Sequence, residues 1–210
     1  MVDATFAART SASWVFVLFH NKPNKPHLLE DGRTIFESRS VAVLAMVVAY
    51  EEKSNEFFAL VGQRGPAVVS SGLWNMVCGY LDWNESLGEA LVREVWEEAG
   101  FDLRYFEKEG VTLPTQPVHV ASTPRSGSQN VTARFLVSLP FRSFVHTRNA
   151  EKDEALDVEW MSISRAEINK KKWAFNHKEL LRDQNSFLNG DRLDGSLGTW
   201  CIDLYRESLV

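Results

Sequence analysis

The chain has 210 residues, 44% of them hydrophobic, which is enough to build a sizeable core in one domain. Its 23 basic and 28 acidic residues leave a formal net charge of -5, which argues against a nucleic-acid partner held by broad electrostatics. The longest apolar run, Val41 to Ala49, is too short to span a bilayer. The first residues lack the basic start and apolar core of a secretory leader, and Cys78 and Cys201 make no disulfide framework. No membrane partner is expected, and a reducing cytoplasm is.

Taken in chain order, Ser13 to Phe19 reads as a first strand and Asn21 to His27 as a polar loop with two prolines. Val41 to Tyr50 and Phe57 to Gln63 read as paired strands across the charged turn Glu51 to Asn55. The loop Arg64 to Gly72 leads to a strand near Trp74 to Cys78. From Ser86 to Ala99 the chain lacks Pro and is rich in Leu, Ala and Glu. It follows a polar Asn84-Glu85-Ser86 start, and Gly100 stands where a helix would stop. Pro117 to Ser122, Val131 to Leu139 and Val158 to Ser162 supply further strands, and Ser164 to Lys172 and Phe175 to Asn185 read as helices.

The helix over Ser86 to Ala99 carries the chemistry. At about 100° per residue, Glu94, Glu97 and Glu98 fall within roughly a 100° arc beside an apolar face of Leu91, Val92, Val95 and Ala99. Three carboxylates at i, i+3 and i+4 repel one another, and anionic side chains oppose the dipole in a helix's last turn. The pattern therefore predicts a cation among them. Oxygen ligands without a Cys/His cluster suit Mg2+, with Mn2+ as the alternative. A lone E-x-x-E-E would be read as an ordinary solvated helix face; here Gly79, Glu85, Arg93 and Gly100 stand in register with it.

The full run is Gly79, Glu85, Arg93-Glu94-Val95, Glu97-Glu98 and Gly100-Phe101. It fills every fixed place of G-x5-E-x7-R-E-U-x-E-E-x-G-U, where U is apolar, and the chain resembles the Nudix hydrolases on this ground. Chance would supply such a match on the order of once in a million sequences of this size. The resemblance covers about Val41 to Asp183. It implies an α/β fold, an α/β/α sandwich with a mixed sheet, as residues 41–183. Residues 1–40 would then be an N-terminal extension packing on the domain, and 184–210 a C-terminal tail.

The resemblance also assigns roles. Glu94, Glu97 and Glu98 match the metal-binding and catalytic carboxylates, and the Gly79 carbonyl matches a backbone ligand. Glu85, Arg93 and Gly100 match structural places, and a bidentate carboxylate-guanidinium bond would pin loop to helix. Val77-Cys78-Gly79 departs from the frequent Pro-Gly-Gly form. Among Glu151, Asp153, Glu154, Asp157 and Glu159, Glu154 is taken as the general base, and a solvated acidic turn is the competing reading. Arg64 is a candidate phosphate contact. Tyr80 and Trp83 are candidate substrate contacts in the loop of the motif, whereas Trp74 and Trp160, flanked by strand residues, read as core. None of the histidines pairs with a Ser or Cys in a nucleophile motif, and His119, His146 and His177 read as structural or surface residues.

The activity implied is hydrolysis of a phosphoanhydride in a nucleoside diphosphate linked to a further moiety. The partner is a nucleotide-derived small molecule, and a homodimer is compatible with this. Pro117, sixteen residues beyond Phe101, leans toward ADP-ribose or nucleotide-sugar substrates, while Thr115-Gln116-Pro117-Val118 matches the NADH-type segment poorly. A ligand sensor or interaction module on the same fold is the alternative. Intact carboxylates and the lack of a basic recognition helix favour the enzyme.

Overall fold

The computed structural model describes residues 23–51, 53–54, 56–124, 129–140 and 154–182. The strand expected at Ser13 to Phe19, with Glu151, Asp153, His146 and Cys201, lies outside them. The chain divides after Arg39. Before that point the described structure is an antiparallel hairpin of β1 (Lys25–Leu28) and β2 (Thr34–Glu37). Lys25 to His27 were expected in a loop and are strand instead. Pro26 is tolerated there because a hairpin strand has an edge that needs no N–H donor. The Asp31 carboxylate shapes the turn by accepting from the Arg33 backbone N–H at 3.0 Å and from its Nε at 2.6 Å.

Beyond Arg39 the described strands form a mixed sheet around β3 (Val41–Glu51), whose residues 42–49 are all buried. A strand buried on both faces reads as a continuous apolar run, and Val41 to Ala49 is one. Val43, Ala45 and Val47 face one core with Leu91, Val95 and Phe135. Leu44, Met46 and Val48 face a second core with Ile168, Leu180 and Leu181. Helix α1 (Leu87–Ala99) and the short α2 (Leu103–Lys108) cover the first face. Helices α3 (Arg165–Lys170) and α4 (His177–Arg182) cover the other. The result is the expected α/β/α sandwich. None of the helices among the described residues is long and apolar enough to cross a membrane.

Strand register explains how the sheet builds a site. β8 (Val131–Pro140) runs parallel to β3 along one edge from Val41 to Tyr50, and β7 (His119–Ala121) lies outside it. On the other edge β4 (Glu56–Arg64) pairs with β3 only from Val48 to Glu51. β9 (Ala155–Ser162) occupies the outer edge of β4 from Phe58 to Arg64. Strands β3 and β4 therefore splay after Val48 and Ala59, and the chain from Trp74 to Tyr80 fills the gap. β5 (Trp74–Asn75) bonds to β4, and β6 (Cys78–Tyr80) bonds to β3. The single strand expected near Trp74 to Cys78 is thus two, because the chain changes neighbour between Asn75 and Cys78. The crossover residues Met76 and Val77 are buried in opposite cores.

Helix α1 is closed at both ends. The Ser86 Oγ accepts from the Glu89 N–H at 3.3 Å, and Glu89 in return accepts from the Ser86 N–H at 2.8 Å, a reciprocal cap. Gly100, at φ 62°, takes the left-handed turn that ends the helix, and its N–H reaches the Trp96 carbonyl at 2.8 Å. The expected helix starts one residue early, since Ser86 is the cap. Helix α2 was not anticipated. Asp102 caps it by accepting from the Arg104 N–H at 2.9 Å, and Phe101 stacks on Phe106 with centroids 5.2 Å apart. Trp160 packs edge-on to Phe101 at 5.7 Å, and Trp74 is partly buried against the second core.

Helix α4 begins at His177, so Phe175 and Asn176, expected to be helical, lie before it. His177 is buried, and its Nδ1 accepts the Met76 backbone N–H at 3.1 Å. Burial, with the Arg64 and Arg134 charges adding to it, pushes this imidazole down to about 3. The native state keeps it neutral while the unfolded chain protonates it near 6.5, so stability is complete above about pH 6.5 and falls as the pH drops toward 3. The expected loss is about 1.4 kcal/mol per pH unit in that window. His177→Asn keeps an acceptor near the Nδ1 position, and urea melts at pH 7.5 and 5.0 should show a smaller acid loss in it than in the natural protein. Equal losses would remove His177 as the cause.

Candidate metal-binding and catalytic site

The gap-filling strand β6 brings the chain beneath α1. The residues of the motif meet there. Arg93 is the centre: its Nε and Nη2 donate to the two Glu85 carboxylate oxygens at 2.9 and 2.6 Å, a bidentate pair. Its Nη1 donates to Glu94 and to Glu97, each at 2.8 Å. Nη2 also reaches the Tyr80 carbonyl at 2.9 Å, while the Asp82 carboxylate stands 3.8 Å from Nε. Glu85 further accepts the Asp82 backbone N–H at 2.7 Å, so loop and helix are joined through one guanidinium.

The helix carboxylates are therefore not arranged as three equal charges awaiting a cation. Arg93 already occupies the space between Glu94 and Glu97. Glu98 is not bonded to Arg93; its carboxylate accepts the Cys78 N–H at 2.9 Å. Spacing along the helix fixed the arc but not the rotamers. Among the described residues, no three His, Cys, Asp or Glu groups converge at metal-ligating distance.

The charges remain under-compensated at one point. Burial raises the Glu94 carboxyl against the pull of Arg93, and it lifts Glu98 to about 8 with the Glu94 charge adding to the effect. Glu85, by contrast, is lowered, chiefly by its bond to Arg93. Burial, with the Glu98 charge behind it, pushes the Cys78 thiol up to about 12, so it is no nucleophile.

Gly79 has a specific reason to be glycine. A Cβ placed there would overlap the Glu94 carboxylate. Glu94 against the Gly79 backbone and Glu98 on the neighbouring Cys78 N–H are two carboxyl groups whose charged forms burial disfavours unless positive charge is supplied. Those are properties a hard divalent cation satisfies, so the residues fit one.

Arg64 and Glu154 stand at this same end of the sheet. The Gly65 N–H donates to the Glu154 carbonyl at 2.7 Å, and Arg64 lies opposite Ala155 across a β-bulge. The Arg64 charge acts on Glu98, and the Glu154 charge acts on both Glu94 and Glu98. The Glu154 side chain is exposed. Tyr80 is exposed, and its hydroxyl accepts from Asn130 Nδ2 at 3.2 Å. Trp83, 81% exposed, makes no hydrogen bond or ring contact among the described residues. Sequence reasoning missed the Tyr80 carbonyl and the Cys78 N–H, since backbone contacts leave no mark in residue type, and Asp82, whose carboxylate approaches Arg93 only through the fold of the loop.

Comparison with known proteins bears on the same segment. The family model for the NUDIX domain matches residues 39–184. A search of curated protein sequences finds no match. Among solved structures, one similar chain is a bifunctional NMN adenylyltransferase/ADP ribose pyrophosphatase from Francisella tularensis complexed with AMP and Mn ion. It is 23% identical with a TM-score of 0.54, over 70% of this chain and 41% of that one. Another is the Nudix hydrolase RenU from M. smegmatis, 16% identical with a TM-score of 0.53 over 82% and 99%. A third is the NUDIX domain of Shewanella oneidensis NrtR complexed with ADP ribose, 18% identical with a TM-score of 0.51 over 70% and 86%.

The Arg93 geometry separates two kinds of residue. Replacing Arg93 with Ala leaves the mostly buried Glu85 and Glu94 without their cation, and urea unfolding of the metal-free protein should register a loss of about 3 kcal/mol. Glu97→Gln removes a more exposed partner and should change stability by less than about 1 kcal/mol. Equal losses in the two variants would contradict this division.

Proposed function

The chain belongs to the Nudix domain family, and from that premise we propose that it is a metal-dependent pyrophosphohydrolase acting on a nucleoside diphosphate linked to a further group. The observation that carries the reading is the pair Glu94 and Glu98. Both are raised by burial, Glu94 against the Gly79 backbone and Glu98 on the Cys78 N–H, with the complete motif around them. Glu94, Glu98 and the Gly79 carbonyl would hold a divalent ion, with Glu97 joining them on release from Arg93. When bound, Mg2+ or Mn2+ would supply charge neutralisation at phosphate oxygens and acidify a water.

The remaining work falls to side chains. Arg64 has no salt-bridge partner among the described residues, which supports reading its Nη groups as donors to a phosphate oxygen. Glu154, whose charge reaches Glu94 and Glu98, takes the proton of the attacking water as a bond forms from its oxygen to phosphorus and the anhydride oxygen leaves. Tyr80 and Trp83 offer exposed aromatic surface to the nucleoside. Pro117 inclines the reading toward ADP-ribose or nucleotide sugars. A ligand sensor without hydrolysis is the competing class, and the intact carboxylates weigh against it.

The test is a panel of ADP-ribose, nucleotide sugars, dinucleoside polyphosphates, NADH and oxidised dNTPs with and without Mg2+. Turnover of at least one should require the metal, and Glu98→Gln should lower kcat on the order of a thousandfold with the circular dichroism unchanged. Glu154→Gln should lower kcat far more than it changes KM. Full turnover in EDTA, or in Glu98→Gln, would sink the proposal; an unaltered pH-rate profile in Glu154→Gln would return the base to another acid.

A further inference from the structure

Phe175 combines two features that local packing alone does not require. Its backbone sits at φ 55°, in the left-handed region that a bulky residue rarely adopts, and its ring is 57% exposed. Such conformations persist only where the surroundings over-determine them. Here they do. The segment before and after Phe175 is fastened to the gap-filling strand: the Trp74 N–H donates to the Lys172 carbonyl at 2.8 Å and the Ala174 N–H to the Trp74 carbonyl at 2.9 Å. Two residues further on, His177 accepts the Met76 N–H at 3.1 Å.

What this held conformation presents is a platform. The Arg64 guanidinium carbon lies 5.1 Å from the centroid of the Phe175 ring. The same guanidinium is also tethered through Nε, which donates to the Val69 carbonyl at 2.6 Å. These contacts engage the guanidinium through the aromatic ring and through Nε, and among the described residues neither Nη donates to an acceptor of the protein. A free arginine side chain carries much rotamer entropy, and clamping it beforehand lowers the cost of using it on a ligand.

We propose that Phe175 is a positioning residue, holding Arg64 so that its Nη groups meet a diphosphate oxygen of the ligand. This rests on the reading of Arg64 as a phosphate contact, and it extends the site to a residue far from the motif in sequence.

The test uses the full chain with Mg2+ and methylenediphosphonate, a probe with diphosphate chemistry and neither base nor cleavable bridge, measured by calorimetry. Phe175→Gly should weaken binding roughly three- to tenfold, the size of a lost cation-aromatic contact, without lowering Tm, because glycine accepts the left-handed backbone freely. Phe175→Tyr should bind within about twofold of the natural protein. In an Arg64→Ala background, adding Phe175→Gly should have no further effect, since the interaction it removes is already gone. Three results would overturn the proposal: a further loss in the Arg64→Ala background, a fall in Tm that accompanies weakened binding, or no binding of the probe by the natural protein. If the probe binds with this dependence while no substrate in the panel is turned over, the proposal stands and the hydrolase reading fails. Turnover with probe binding indifferent to Phe175→Gly is the reverse.

Discussion

One guanidinium organises this site. Arg93 holds Glu85 with two bonds, shares a third nitrogen between Glu94 and Glu97, and reaches back to the Tyr80 carbonyl. Its single positive charge answers three carboxylates in direct contact and Asp82 at 3.8 Å, so the cluster stays net negative even where it is best paired. Glu98 lies outside this arrangement, and among the described residues its one hydrogen bond is from the Cys78 N–H. Structure and chemistry are therefore coupled: the residue that fastens loop to helix also competes for the carboxylates that a divalent ion would take. To hold a divalent ion, Glu94 and Glu97 would have to leave Arg93, while the bidentate Glu85 pair would keep the guanidinium in place.

The sheet makes this meeting possible by failing to pair. Were β3 and β4 bonded along their whole length, no chain could pass between them. Because they part after Val48 and Ala59, β5 and β6 enter the gap and carry Cys78 and Gly79 to the underside of α1. Trp173 bridges in parallel to Trp74 on the same strand, so α4 and the residues before it are secured to the element that feeds the carboxylates. Burial of Met76 and Val77 in opposite cores fixes the crossing against slippage, since a one-residue shift would exchange their faces.

Much of this was legible because local chemistry and global fold agree. The buried β3 announces itself as an uninterrupted apolar run, and α1 carries its own start and stop in Ser86, Glu89 and Gly100. What stayed hidden depends on neighbours. Trp74 to Tyr80 gives no sign that it changes partner midway. The six residues of α2 are too few for a periodic signal, and only Asp102 marks the start. Phe175 has an ordinary helix-compatible side chain, and its left-handed backbone follows from bonds to a strand about one hundred residues earlier. The carboxylate arc on α1 was readable from spacing, but the capture of two of its members by Arg93 was not, because helical periodicity says where side chains leave the backbone and nothing of where they end.

The proposed metal site rests on Glu94 and Glu98, two buried carboxyl groups raised above their ordinary range. The most direct measurement is Mn2+ binding to the full chain, followed by the loss of the free-ion electron paramagnetic resonance signal. Uptake by the natural protein should weaken at least tenfold in Glu94→Gln and in Glu98→Gln, as expected when an anionic ligand is neutralised. Uptake of equal strength in all three proteins, or none in the natural one, would contradict the proposed site.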